Sequence, residues 1–283
     1  MGAPLSLRLL AFYPRKAGSA AAGALASLKL PRSLRAPIYG RFARAFGVDL
    51  GEADRPLDEY PSFLDFFTRR LRPGLRPQTP GALGAINSPV DGRLIAGGTV
   101  EGGTLIQAKG LPYALSELLD GDPLVQHFEG GPYLTLYLAP KDYHRIHVPL
   151  PGRCIVVGRI EGELWPVNDA STAATPRLYA RNRRAYWIAE GTGPCEGLLV
   201  AVVLVGATHV GGVVVGERWR EGRALPSRGR LDVSSLPCAP GDDLGVFELG
   251  STVVLLIGGE KKHDWRPSRD VGPVKVGERL GSF

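Results

Sequence analysis

The stretch Phe247-Glu248-Leu249-Gly250-Ser251-Thr252-Val253-Val254-Leu255-Leu256 decides how the chain is read. A Gly-Ser corner opens a run of β-branched and aliphatic residues, the pattern of a buried strand. Gly250 has no Cβ and tolerates strained backbone angles, so a nucleophile can come close to its carbonyl. Thr252 and Val253 begin a stiff extended segment that fixes the serine. A hydroxyl held against the preceding carbonyl can attack it and turn the amide into an ester, and this is the reading taken for Ser251. A Gly-Ser pair before a strand is ordinarily only a turn. The remainder of the chain must therefore supply a base and a group that orients it.

Outward from that stretch, short strands punctuated by glycine are expected from about Asn87 onward. They fall at 93–96, 104–108, 133–138, 144–148, 155–160, 185–188, 198–205, 210–215, 246–248 and 252–257. A helix is expected at 114–119 and a smaller one at 171–174. Upstream, Ser62 can cap a short helix carrying Phe63, Leu64, Phe66 and Phe67, and Pro73, Gly74, Pro77, Pro80, Gly81 and Gly84 read as loop. Residues 258–283 read as polar and irregular. The expected fold is α+β and predominantly β, with N-terminal amphipathic helices before a β-rich sandwich or partly closed barrel. The division is residues 1–80, a helical segment and linker, and residues 81–283, the β-rich body.

The 283 residues carry a net charge of +6, distributed unevenly. Residues 1–50 hold eight Lys and Arg against Asp49 alone, leaving 26 basic against 27 acidic residues in the rest. The same segment carries Leu5, Leu9, Leu10, Phe12, Leu25, Leu28, Ile38, Phe42 and Phe46. Arg8, Arg15 and Lys16 interrupt the continuity a secretory signal needs, and no apolar run is long enough to span a bilayer. Basic amphipathic helices separated at Pro14, Pro31 and Pro37 can lie on an anionic membrane, or can equally be a solvated basic face. No recognition motif accompanies the charge, so nucleic acid is not expected as a partner. Cys154, Cys195 and Cys238 stand far apart, arguing against a disulfide framework and for a reducing compartment.

Nucleophilic serine chemistry needs an imidazole to take the proton and a carboxylate to orient it. The histidines are His127, His144, His147, His209 and His263. Pro140-Lys141-Asp142-Tyr143-His144-Arg145-Ile146-His147-Val148-Pro149 holds two, three apart. In an extended segment that spacing puts them on opposite faces, suited to two jobs rather than one metal. Asp91, in Ser88-Pro89-Val90-Asp91-Gly92-Arg93, is a candidate carboxylate, with Asp142 and Asp169 open beside it.

Taken together, these motifs resemble those of the bacterial pyruvoyl-dependent phosphatidylserine decarboxylase family over nearly the whole length. Phe63-Leu64-Asp65-Phe66-Phe67-Thr68-Arg69-Arg70-Leu71, Leu105-Ile106-Gln107-Ala108-Lys109-Gly110, Tyr179-Ala180-Arg181-Asn182 and Leu204-Val205-Gly206-Ala207-Thr208 add to the likeness. The resemblance implies that Asp91, His147 and Ser251 form a self-processing triad that cuts between Gly250 and Ser251. The products would be a β chain of residues 1–250 and an α chain of residues 251–283. Ser251 would become a pyruvoyl group that binds substrate as a Schiff base, with His144 assisting decarboxylation and no metal required. The substrate would be phosphatidylserine, the product phosphatidylethanolamine, and the place the cytoplasmic side of the inner membrane, held peripherally. A homodimer of the two-chain unit is compatible with this. Other readings are a Ser-His-Asp hydrolase that never cuts itself, a non-catalytic membrane-surface adaptor, and a pyruvoyl decarboxylase for a soluble amino acid.

Overall fold

The computed structural model describes residues 15–79, 84–107, 110–208, 212–226, 228–248 and 251–283. Three helices come first: α1 (Arg15–Ala26), α2 (Arg32–Phe46) and α3 (Phe63–Phe67). Ser62 caps α3 as the sequence indicates, its hydroxyl accepting the Asp65 N–H while the Asp65 carboxylate accepts the Ser62 N–H, a reciprocal capping box. Gly47 ends α2 in the left-handed region, at φ 77°. Pro37 does not separate two helices; it lies inside α2, which forgoes one backbone hydrogen bond there. The helices close over their own small core of Tyr39, Ala43, Val48, Tyr60 and Phe66, with Tyr39 stacked on Phe66 at 5.3 Å.

The first strands are β1 (Ile86–Asn87), β2 (Gly92–Thr99), β3 (Thr104–Ile106) and β4 (Pro112–Ala114), followed by α4 (Leu115–Leu118). Then come β5 (Pro132–Leu138), β6 (Arg145–His147) and β7 (Gly152–Ile160). Two short helices, α5 (Asp169–Ala174) and α6 (Leu178–Arg181), precede β8 (Arg184–Gly191), β9 (Leu198–Gly206) and β10 (Val213–Val215). The chain ends with β11 (Gly229–Cys238), β12 (Asp243–Phe247), β13 (Ser251–Gly259), β14 (Arg266–Pro267), β15 (Gly272–Val274) and β16 (Arg279–Ser282).

Eight strands form one open antiparallel sheet in the order β11-β7-β8-β9-β13-β5-β2-β15. The fold is thus mostly β with a helical N-terminal region, and its large sheet does not close into a barrel. β13 lies inside the sheet, with Ser251 opposite Leu138 of β5 and Gly206 of β9. Both of its faces are covered: Val253, Leu255 and Ile257 enter one core, Val254 and Leu256 the other. Double burial explains the unbroken apolar run, since neither face needs polar residues, and each such side chain contributes about 1.5–3 kcal/mol. The three-stranded sheet β10-β12-β6 supplies Val215, Leu244, Phe247 and Ile146 to the Val253 side.

The C-terminal residues are more ordered than their polarity suggests. β15 pairs with β2 and β16 with β1, tying the end of the chain to the start of its β region. β11 also escaped the sequence reading. It is a half-exposed edge strand whose register shifts between Asp232 and Leu236, with Ser235 at φ 55°, so its alternation is broken midway.

Candidate active site

Ser251 is the first residue of β13 and is fully buried; its Oγ has no hydrogen-bond partner among the described residues. Strand alternation places it on the Val253 face. Two backbone routes bring the histidine segment to that end of β13. Leu138, opposite Ser251, leads into a turn closed by Asp142 N–H to the Ala139 carbonyl at 2.9 Å. From the other side, Phe247, four residues before Ser251, donates its N–H to the His144 carbonyl at 3.0 Å. Gly250 and Leu249 lie outside the described residues, as does His209.

His144 precedes β6 rather than belonging to it, and is wholly buried. Its Nδ1 is 2.8 Å from the Asp142 carbonyl, which can only accept, so Nδ1 carries the proton and Nε2 keeps its lone pair. Nε2 has no partner among the described residues. Burial pushes the His144 imidazole down to about 3, against a smaller upward pull from the Asp142 carbonyl, and keeps it neutral.

His147 follows the same logic with a different partner. Nδ1 donates to the Gly241 carbonyl at 2.8 Å, and Nε2 accepts the Tyr143 hydroxyl at 3.0 Å. Burial lowers its pKa, while the Gly241 carbonyl, Asp243 and Asp91 pull it upward. Burial also pushes the Tyr143 phenol up to about 12, so it remains a donor.

Asp91 reaches this neighbourhood because the His147 N–H donates to the Pro89 carbonyl at 2.8 Å. The Asp91-Gly92 pair is more than a turn: a Cβ on Gly92 would meet the Tyr137 carbonyl oxygen at 2.3 Å, so only glycine lets β2 pass β5 here. The Asp91 carboxylate is nearly buried and occupied. Arg76 Nε donates to both its oxygens at 2.9 and 3.0 Å, and Val276 N–H donates at 2.8 Å. Arg76 in turn grips Glu52, which also meets Lys275 Nζ at 3.2 Å. The structure therefore gathers Ser251, His144, His147 and Asp91 at one end of the sheet. It does not join them in a hydrogen-bonded chain, because Asp91 faces Arg76 and His147 faces Tyr143.

Sequence reasoning missed Arg76 and Tyr143 as partners. Arg76 sits in a Pro/Gly loop whose only signal was its charge. Of the other candidate carboxylates, Asp142 takes the Ala139 N–H at 2.7 Å and Asp169 heads α5. Two quoted motifs prove to be clamps. Gln107 is buried, donating to the Thr172 and Thr175 carbonyls and accepting the Leu178 N–H. Asn182 donates to the carbonyls of Trp165 and of Gly206, the residue opposite Ser251. Among the described residues no cluster of three or more His, Cys, Asp or Glu could hold a metal, and no helix is long and apolar enough to cross a membrane.

A family profile described as phosphatidylserine decarboxylase matches residues 63–282. A phosphatidylserine decarboxylase proenzyme from Anaeromyxobacter sp. (strain K) is 44% identical over 98% of this chain and 96% of its own. One from Myxococcus xanthus (strain DK1622) is 37% identical over 97% of both, and one from Coxiella burnetii (strain Dugway 5J108-111) is 41% identical over 85% of both. With the matched region running from α3 through β16 and so including every residue gathered around Ser251, the chain belongs to the phosphatidylserine decarboxylase family.

Proposed function

We propose that this chain is a proenzyme that cuts itself between Gly250 and Ser251 and then decarboxylates phosphatidylserine to phosphatidylethanolamine at a membrane surface. The observation that carries the reading is the Ser251 hydroxyl, fully buried at the head of an interior strand and without a hydrogen-bond partner among the described residues. A buried hydroxyl without a hydrogen bond costs stability, so such a position fits a group under chemical rather than structural constraint.

In this reading His147, its Nδ1 proton held by the Gly241 carbonyl, exchanges the Tyr143 hydroxyl for that of Ser251 and accepts its proton, with the nearby charge of Asp91 favouring the imidazolium. Ser251 Oγ attacks the Gly250 carbonyl and an ester replaces the amide. Loss of the Ser251 α-proton expels the Gly250 carboxylate, and the dehydroalanine left at the new N-terminus tautomerises and takes up water. Ammonia departs and a pyruvoyl group remains. Such a group supplies a ketone that captures a substrate amine and draws off the electrons released as carbon dioxide leaves. The residues present fit it, since the buried Ser251 hydroxyl and His144 Nε2 both lack a hydrogen-bond partner among the described residues. Neutral His144 is placed to relay to the substrate Cα the proton that the substrate amine sheds on imine formation, since burial disfavours storing the proton on the ring and favours its release.

Contact with an anionic bilayer is supported by α1 and α2. Leu25, Leu34, Ile38 and Phe46 are exposed on them and Leu28 on the link between them, beside Lys29, Arg41 and Arg44. The test is purified protein assayed for carbon dioxide release from phosphatidylserine vesicles, with and without a carbonyl reagent such as phenylhydrazine. Activity abolished by the reagent, and absent in Ser251→Ala, is expected. Reagent-resistant activity, or ester hydrolysis in its place, would refute the reading.

A further inference from the structure

Leu138 stands directly opposite Ser251, and the chemistry proposed above gives it no task. Antiparallel pairs alternate between those that exchange both backbone hydrogen bonds and those that exchange none, because the N–H and C=O of one residue point to the same side of its strand. Ser251 lies between Gly206 of β9 and Leu138 of β5, so its backbone groups turn toward only one of them.

Contacts on both flanks say which. Gly206 directs its groups away from Ser251: its N–H donates to the Arg183 carbonyl at 2.9 Å, and its carbonyl accepts Asn182 Nδ2 at 2.8 Å. On the other flank, a Cβ built on Gly92 would collide with the Tyr137 carbonyl oxygen, so Tyr137 turns its groups toward β2. The next residue, Leu138, therefore turns its own toward β13. Its N–H donates to the Ser251 carbonyl, and its carbonyl accepts the N–H of the bond to be cut. This peptide is held on its far side as well. Ala139 N–H donates to the Asp142 carboxylate at 2.7 Å, and Asp142 N–H returns to the Ala139 carbonyl at 2.9 Å.

We infer that the main-chain N–H of Leu138 is a catalytic group of self-cleavage: it stabilises the Ser251 carbonyl oxygen while the ester is broken by elimination. The inference rests on the self-cleavage proposed above and deepens it by assigning a donor to its second step. In that step the Ser251 Cα–H bond breaks and the proton passes to an imidazole of the histidine segment. The electron pair forms the Cα–Cβ double bond, and the Cβ–Oγ bond breaks with its pair leaving on the Gly250 carboxylate. As the proton departs, negative charge spreads from Cα onto the Ser251 carbonyl oxygen. An amide carbonyl acidifies its α-hydrogen only weakly. A donor already aimed at that oxygen in a buried site strengthens as the charge develops, and it needs no rearrangement to do so.

Leu136, which pairs with Val253 two residues along the same strands, makes the equivalent ladder contact and supplies the control. The full chain is made by cell-free synthesis with the α-hydroxy analogue of leucine at position 138 or at 136, which exchanges one N–H for an ester oxygen and keeps the side chain. Conversion to two chains is followed by mass. The change at 138 should slow conversion about a hundredfold, the scale of one oxyanion donor, with the Gly250–Ser251 ester accumulating. Hydroxylamine then cuts that ester, leaving a hydroxamate on Gly250 and an unmodified Ser251, fragments that differ in mass from a cut at the introduced ester. The change at 136 should leave the rate as it is. Equal slowing by both changes would reduce Leu138 to a structural role, and full-speed conversion with the change at 138 would overturn the inference. Ser251→Ala supplies a measurement that does not depend on how the ester chains fold. Its NMR spectrum should show a coupling across the hydrogen bond from the Leu138 nitrogen to the carbonyl carbon of residue 251, and absence of that coupling would equally overturn the inference. An unaltered chain that never converts would sink the proposed function, whereas normal conversion with no difference between 138 and 136 would sink only the role of Leu138.

Discussion

The ring of Phe67 lies against that of His144, with centroids 4.1 Å apart. Helix α3 thus braces the histidine segment, and two more contacts repeat the arrangement: Arg145 Nε donates to the Thr68 carbonyl at 3.0 Å and Arg69 Nη2 to the Lys141 carbonyl at 3.3 Å. The N-terminal helices are therefore coupled physically to His144, which burial keeps neutral.

Replacing Phe67 by Ala should cost about 3–5 kcal/mol, because its side chain is almost wholly buried and the neighbourhood is held by backbone contacts that limit collapse. Water entering that gap would raise the His144 pKa toward its ordinary value, since burial is the main cause of its depression. Urea unfolding and the pH titration of the His144 ring proton by NMR check the two parts. An unchanged titration would show that Phe67 does not keep His144 dry.

Acid should weaken the fold over a defined window. Folded His144 resists protonation until about pH 3, whereas in the unfolded chain it titrates near 6.5. Between those values the unfolded state binds the extra proton, so stability rises with pH by up to about 1.4 kcal/mol per unit from this group alone. His147, also depressed by burial, acts in the same direction. Urea midpoints at pH 7.5 and 5.5 measure the slope, and His144→Asn should flatten it. An equal slope in that variant would contradict the assignment.

Arg76→Ala would leave Asp91 nearly buried without the guanidinium that grips both its oxygens and with the Val276 N–H still donating, at a cost of about 3 kcal/mol. Self-cleavage should slow as well, because Asp91 would lose the fork that fixes its orientation. Adding Asp91→Asn to Arg76→Ala should cost less than the two singles combined, since each removes the same contact. Strict additivity by thermal unfolding would argue that the pair is not coupled.

Glutamates at Leu25, Leu28 and Ile38 together should lower binding to phosphatidylserine-containing vesicles by at least about tenfold, by removing apolar area and adding repulsion. Cosedimentation at low and moderate salt reads the effect. Undiminished binding would place the membrane contact elsewhere.

Much of this fold was legible where burial is simple. β13, β9 and β5 announce themselves as apolar runs because both faces of the sheet are covered, and α3 through its serine cap. β11 and β14–β16 were not legible, since edge and closing strands take their stability from partners far along the chain. At the site, the serine and both histidines stood out by residue type and spacing. The partners that occupy them did not: Arg76 reaches Asp91 from a proline-rich loop, and Gly241 meets His147 across 94 residues of sequence. Such pairings are decided by tertiary packing, which no local pattern encodes.

The most direct test is the mass of the freshly purified protein under denaturing conditions. The account requires two chains, residues 1–250 and residues 251–283, the smaller with its N-terminal amine replaced by a ketone. A single full-length chain that still converts phosphatidylserine to phosphatidylethanolamine would contradict it.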